Sequence, residues 1–266
     1  MQVLIIKVEK KFRLPNKNTL FVGKVSYRFP ALSSTNDYAA ELILKEQPSE
    51  GTVIIADYQS AGRGQLGNSW EAEAGQNLTL SLILYPRFLL ARQQFDLNQS
   101  VALAVRDTIA TFTDKPVHIK WPNDILIGKR KISGVLIQNI LSGLNIRSSI
   151  AGIGINANQQ QFAAGLTHAG SIRLETGKAV DLNKLEQQLF RFLESWYLRL
   201  KNGGIATIRA AYLRHLFQME EKQSYAFPDG QIFQGTITGI DPSGKLMMET
   251  ETGPALFGIK DLKYLL

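Results

Sequence analysis

The succession of helical and extended patterns that begins at Ser34 constrains this chain most, because it admits only an α/β or α+β fold. The spacing predicts a helix over residues 35–47, a strand over 52–57, a glycine-rich loop reaching Trp70, and a strand over 78–84. A helix over 98–112 follows, with Val101, Val105, Ile109 and Phe112 recurring at steps of three and four on one face. Short strands are expected over 117–121 and 124–127, then longer ones over 132–141 and 147–156. Ser142-Gly143 and Asn145 between the last two suit a hairpin turn. Two more helices, over 181–201 and 205–217, close this part. The first carries an apolar stripe of Leu182, Leu185, Leu189, Phe192, Leu193 and Trp196. After Gln218 the character shifts to short extended runs separated by Pro228-Asp229-Gly230, Asp241-Pro242-Ser243-Gly244 and Gly253-Pro254, the pattern of a small SH3-like β-barrel. The expected division is therefore a main domain over 1–217, with a basic extension to about residue 24, and a small domain over 218–266.

Composition removes several alternatives. At 266 residues and 44% hydrophobic, the chain can bury a substantial core. With no cysteine, disulfides, thiolate metal sites and thioester mechanisms are excluded. The three histidines, His118, His168 and His215, lack ligand spacing and are expected to be structural or exposed. No apolar run approaches the about 18 residues that a membrane span needs, and no signal-peptide pattern opens the chain, so the expected location is cytoplasmic. Before Ser33 the sequence offers one strand, over 3–8, and a basic stretch over 10–17 around Pro15. That is too little for a helix-turn-helix domain, and DNA binding is not expected. The net charge of +7 favours anionic partners without choosing among them.

Five segments can carry chemistry. In the run from Gln59 to Trp70, glycines 62, 64 and 67 permit close backbone approach, and Arg63 offers a fork of donors for a phosphate or carboxylate. A plain surface hairpin fits this run as well, and it has neither P-loop nor Rossmann spacing. In Lys120-Trp-Pro-Asn-Asp124 the last three residues suit a tight turn, while Asp124 can hold a divalent cation beside a triphosphate. The trio Lys129, Arg130 and Lys131 is either a solvated hairpin tip or, through Lys131, a cation facing a carboxylate and an α-phosphate. Ser34 with Asp37 fits a capping box, with Thr35 and Asn36 free to bond a polar head group. Gly152-Ile-Gly-Ile-Asn156 is either a closely packed buried strand or the floor under a flat ligand.

Taken together, in this order and spacing, these segments resemble the biotin protein ligase family. The resemblance rests on Ser34-Thr35-Asn36, Gln59 with Ala61-Gly62-Arg63-Gly64, Trp70, Lys120-Trp-Pro-Asn-Asp124, Lys131 with Gly134, and Gly152-Ile-Gly-Ile-Asn156, and extends to Gly235–Asp241. It implies an α+β fold with a class II synthetase-like mixed sheet flanked by helices. It also implies an enzyme that makes biotinyl-5'-AMP from biotin and ATP and passes the biotin to a lysine of a biotin carboxyl carrier protein or domain.

By the same resemblance, Ser34, Thr35, Asn36 and Gln59 line the biotin pocket with Trp70 as an apolar wall. Arg63, Gly62, Gly64 and Gln65 belong to a loop that orders over the adenylate. Lys131 is the leading catalytic residue, with Arg63 beside it. Gly134, Gly152 and Asn156 complete the substrate set, and Asn123 and Asp124 face the phosphates and a Mg2+ ion. Gln65 and Asn68 stand where family members often carry further basic residues. Family members often dimerise through a sheet edge, which makes a homodimer an expectation here. Lipoate ligase, with a related architecture, is the rival enzyme reading, and a noncatalytic biotin- or nucleotide-sensing module the rival of another class.

Overall fold

The computed structural model describes residues 11–12 and 18–265. The strand expected over 3–8 and most of the basic stretch lie outside the described residues. The main layer is an eight-stranded sheet of β1 (Lys11–Phe12), β2 (Ser26–Phe29), β3 (Val53–Ala56), β4 (Leu78–Leu84), β5 (Val117–Lys120), β6 (Asp124–Ile127), β7 (Arg130–Ser142) and β8 (Asn145–Ile155). Its order is β1-β2-β3-β4-β8-β7-β6-β5. β2 and β3 run parallel and every other neighbouring pair is antiparallel, so the sheet is mixed. The helices are α1 (Thr35–Glu46), α2 (Gln94–Ala110), α3 (Ile172–Thr176), α4 (Leu182–Lys201) and α5 (Ile205–Arg214). A second, antiparallel sheet holds β9 (Lys222–Ala226), β10 (Ile232–Ile240), β11 (Leu246–Thr250), β12 (Gly253–Phe257) and β13 (Lys263–Tyr264) in the order β12-β11-β10-β9-β13.

Strand alternation sorts the main sheet into two unlike faces. Leu78, Leu80, Leu82 and Leu84 of β4, with Ala151, Ile153 and Ile155 of β8, join the large core beneath α2 and α4. The intervening positions meet the other face. Toward one end they are Ile54, Ile83 and Ile150, packed with Leu42 and Ile43 of α1. Toward the other end they are Thr79, Ser81, Gly152 and Gly154, small or polar residues on the face that carries the site described below.

β2 and α3 carry no strong sequence pattern and are additions to the elements the spacing predicts. β2 has two half-buried residues between two buried ones, and its strand character comes from pairing with β3 across the α1 crossover. α2 starts at Gln94, four residues before the expected helix, because its first turn is anchored by a polar side chain rather than an apolar one. Asp96, almost fully buried, receives Arg209 of α5 through both oxygens at 2.8 and 3.1 Å. The α4 stripe is rotated from the expected one. Leu185, Leu189 and Leu193 are buried as expected, joined by Phe190, Tyr197 and Leu200, while Leu182, Phe192 and Trp196 sit at its margin.

Glu194, on the buried side of α4, closes the start of the described chain. Its carboxylate accepts the backbone N–H groups of Leu20, Phe21 and Val22 at 2.7–3.1 Å. Glu194→Ala leaves those three donors without their acceptor in a site 7% exposed. The expected cost is about 3 kcal/mol, the order found on breaking a buried charged network, read as a lower urea midpoint. An unchanged midpoint would show that the 20–22 segment finds other acceptors.

The C-terminal sheet builds on stacked rings of Phe227, Phe233 and Phe257, with centroids 4.4 and 5.4 Å apart along the stack. It does not stand apart from the main layer: Tyr225, Ile237, Leu246 and Met248 belong to the same buried cluster as α2 and α4. Among the described residues no helix is long and apolar enough to cross a membrane.

Candidate active site

A cavity of about 630 Å³ opens on the polar face of the main sheet, between the start of α1, the loop before Trp70, the β5–β7 edge and the last strand of the C-terminal sheet. Its inner end is built by α1. Ser34 caps the helix, its hydroxyl accepting from the Asp37 N–H at 3.3 Å. The Thr35 N–H donates to Gln59 Oε1 at 2.7 Å, tying the helix start to the loop. Ser81 Oγ is hydrogen-bonded to Thr35 Oγ1 at 2.7 Å and to Asn36 Oδ1 at 2.6 Å, and the Asn36 amide donates to Gln138 at 2.9 Å. These buried polar side chains are fixed in place, which suits them to reading the edge of a polar ring. Gly152 lies directly beneath: a Cβ there would stand 2.4 Å from Asn36 Oδ1.

The expected capping box is only half formed. Asp37 gives its N–H to Ser34, but its carboxylate pairs with the Arg63 guanidinium, so α1 holds the tip of the glycine loop. The loop folds on itself through Gly64 N–H to Asn68 O at 2.7 Å and Trp70 N–H to Gly62 O at 2.9 Å. Gln65 crosses to the other side, its amide donating to Asn123 Oδ1 at 2.9 Å and to Val135 O at 3.3 Å. The Trp70 indole lies against two glycines of the sheet. A Cβ on Gly154 would stand 2.3 Å from the ring, and one on Gly134 3.3 Å. The glycines in β7 and β8 thus make the floor that a large ring needs.

The charged end comes from β5, β6 and β7. Lys131 Nζ is 2.7 Å from Asp124 Oδ1, with both side chains partly exposed to the cavity. The basic trio divides: Lys129 is exposed, Arg130 turns outward to the Thr167 carbonyl, and Lys131 alone turns into the cavity. Burial lowers the pKa of Lys120, the Lys131 charge lowers it further, and the Asp124 carboxylate acts in the opposite direction. Lys263 and Tyr264 of β13, and Lys260 of the turn before it, line the same cavity.

Most of the residues singled out in the sequence meet here: Ser34, Thr35, Asn36, Gln59, Arg63, Gly64, Gln65, Trp70, Asp124, Lys131, Gly134 and Gly152. Three do not. Gly62 lies behind the loop in an adjoining cleft, where a Cβ would stand 2.4 Å from Trp70 O. Asn123 is buried as a strut, its amide donating to Asn98 Oδ1 at 2.5 Å while its oxygen receives Gln65. Asn156 is not part of the cavity wall, and its amide donates to Gly170 O at 3.0 Å, fastening the segment that leads into α3. It follows the last residue of β8, where its backbone N–H donates to Ile132 O at 2.8 Å. Lys120, Ser81 and the C-terminal residues were not singled out as site residues. Lys120 was visible as the first residue of its motif, whereas no local signal marks Ser81 or Tyr264.

Residues 28–156 match the family model described as Biotin/lipoate A/B protein ligase family. The "Bifunctional ligase/repressor BirA" of Bacillus subtilis is 34% identical over 225 residues, covering 84% of this chain and 68% of that protein. The "Biotin--[acetyl-CoA-carboxylase] ligase" of Paracoccus denitrificans is 31% identical over 230 residues, covering 84% of this chain and 94% of that protein. In fold, the biotin protein ligase from Aquifex aeolicus in complex with biotin and ATP superposes with a TM-score of 0.74 at 24% identity, covering 90% of this chain and 98% of that one. The chain belongs to the biotin protein ligase family.

Proposed function

We propose that this enzyme, a ligase that joins biotin at the expense of ATP, carries out both half-reactions in the cavity described above. The observation that carries the assignment is convergence: Lys131, Lys120 and Arg63, cations from three separate segments, border one cavity whose other end is a set of fixed, uncharged polar groups. The Ser34–Asn36 end with Gln59 suits the ureido ring of biotin, and Trp70 over Gly134 and Gly154 supplies an apolar wall.

In the first step a biotin carboxylate oxygen attacks the α-phosphorus of ATP, the phosphoanhydride bond between the α- and β-phosphates breaks, and pyrophosphate leaves with the bonding pair. Lys131 and Arg63 face the charge that grows on the phosphoryl oxygens, and no enzyme nucleophile is needed. In the second step an acceptor lysine amine attacks the acyl carbon of the mixed anhydride, and AMP leaves with the bonding pair. The acceptor is a biotin carboxyl carrier protein or domain, and the setting is cytoplasmic. Arg63 must exchange Asp37 for the phosphate as the loop closes, which keeps water from the anhydride. Lys260 and Lys263 bring positive charge to the cavity from another direction than Gln65 and Asn68, which bring none.

Asp124 fits a Mg2+ ion that arrives with the nucleotide. It offers one carboxylate on the cavity wall, and among the described residues no cluster of three or more acidic, histidine or cysteine ligands competes for the ion. Mg2+ usually takes one or two carboxylates and fills its remaining positions with phosphate and water. Bound there, the ion would offset triphosphate charge, and Lys131 would be freed to turn toward the α-phosphate.

The test is transfer of labelled biotin to a purified carrier domain with Mg-ATP, beside biotin-dependent pyrophosphate exchange. Labelling is expected with biotin and absent with lipoate; labelling with lipoate alone would overturn the reading.

A further inference from the structure

We propose that Tyr264, on the last strand of the C-terminal sheet, is a positioning residue that holds the Lys120 ammonium in the adenylation site. The inference rests on the assignment of that cavity made above. Lys120 ends β5 opposite Asp124 in the antiparallel register. The Asp124 carboxylate is engaged by Lys131 at 2.7 Å, and among the described residues Lys120 makes no ion pair. Its Nζ instead lies 5.0 Å from the centroid of the Tyr264 ring. A flexible four-carbon stem carrying an unpaired charge has many rotamers, and an aromatic face is an electrostatic seat that selects among them.

The seat itself is fixed. Tyr264 pairs with Tyr225 across β13 and β9, and the two rings meet edge to face at 5.3 Å and 77°. Phe217 stands 6.4 Å away on another side. The Tyr264 hydroxyl is closed off from solvent without a hydrogen-bond partner, so the ring face and not the hydroxyl makes the contact with Lys120.

A second grip holds the neighbouring residue. The Trp121 indole N–H donates to Gly244 O at 2.9 Å, and the 241–244 turn is seated against Phe95 so closely that a Cβ on Gly244 would stand 2.5 Å from that ring. Two successive residues of the motif are therefore located by two parts of the C-terminal sheet that lie far apart in sequence. A sheet that merely covered the core would not need to reach both.

The experiment uses the full chain and measures biotin-dependent pyrophosphate exchange with biotin and ATP varied in turn. Tyr264→Phe keeps the ring and is expected to hold kcat and both KM values within about two-fold of the wild type. Tyr264→Leu keeps the apolar fill but loses the face. Its kcat is expected to fall roughly ten-fold while KM for biotin stays unchanged, the split that marks a contact used in the transition state. In a Lys120→Met background the leucine change is expected to add nothing. If the leucine variant lacks a cooperative melting transition, Tyr264→Met is read in its place. Wild-type kcat in the leucine or methionine variant, an equal loss in the phenylalanine variant, or additivity with Lys120→Met would overturn the proposal. Absence of exchange in the wild type would sink the assignment of the cavity instead, so the two failures are distinguishable.

Discussion

Lys131→Ala is expected to reduce biotin-dependent pyrophosphate exchange by about 100- to 1000-fold, the size of effect seen when one preorganised charge is removed from a site where charge develops. Lys131 is the member of its trio whose side chain enters the cavity, and its ammonium already stands beside a carboxylate at 2.7 Å. The backbone on either side is locked, with Lys131 N–H on His168 O at 2.7 Å and Gly170 N–H on Lys131 O at 3.0 Å. The side chain therefore extends from a fixed root to Asp124 on the cavity wall. Biotin affinity, measured by calorimetry, is expected to hold, because the Ser34–Asn36 end of the cavity is built from other elements. An alanine variant that exchanges pyrophosphate at near the wild-type rate would remove Lys131 from the chemistry.

Gly152→Ala is expected to weaken biotin binding by roughly 100-fold, which corresponds to about 2.7 kcal/mol of overpacking. The backbone of β8 accepts alanine, so the whole effect comes from the space above it. The added Cβ would stand 2.4 Å from Asn36 Oδ1 and 3.0 Å from Asn36 Cγ. Asn36 cannot retreat cheaply, since Ser81 holds its oxygen and Gln138 accepts from its nitrogen, and the residue is 4% exposed. The helix start must shift instead, and Thr35 with its bond to Gln59 shifts with it. Adenylate formation at saturating biotin is expected to suffer less, because the charged end is untouched. A biotin dissociation constant equal to the wild type's would show that Asn36 does not take part in the pocket.

Gly152 also shows what could be read from residues alone. Glycines at alternate positions of a β-branched strand point to close approach on one face, and that face does meet Asn36 and Trp70. What approaches could not be read, because a strand pattern specifies its own faces and not their partners. The same limit explains Asn156. It follows the glycine pair in sequence and joined them in the expected ligand set, yet the chain turns there and its amide serves Gly170. Asp37 repeats the lesson from a helix: its spacing from Ser34 suits a capping box, and a guanidinium from the next loop proved the stronger partner for its carboxylate.

By itself the sequence determined the elements with strong periodicity, β4, β7, β8, α1 and α4, and the motifs that mark the family, because period and turn chemistry are local properties of a chain. Tertiary structure alone decided that β2 pairs parallel to β3, that Arg63 rests on Asp37, and that Tyr264 meets Lys120 on the wall of the cavity. Each of these joins groups distant along the chain. Such contacts are fixed by the packing of sheets and helices against one another, where burial and charge pairing act through space and leave no spacing to read.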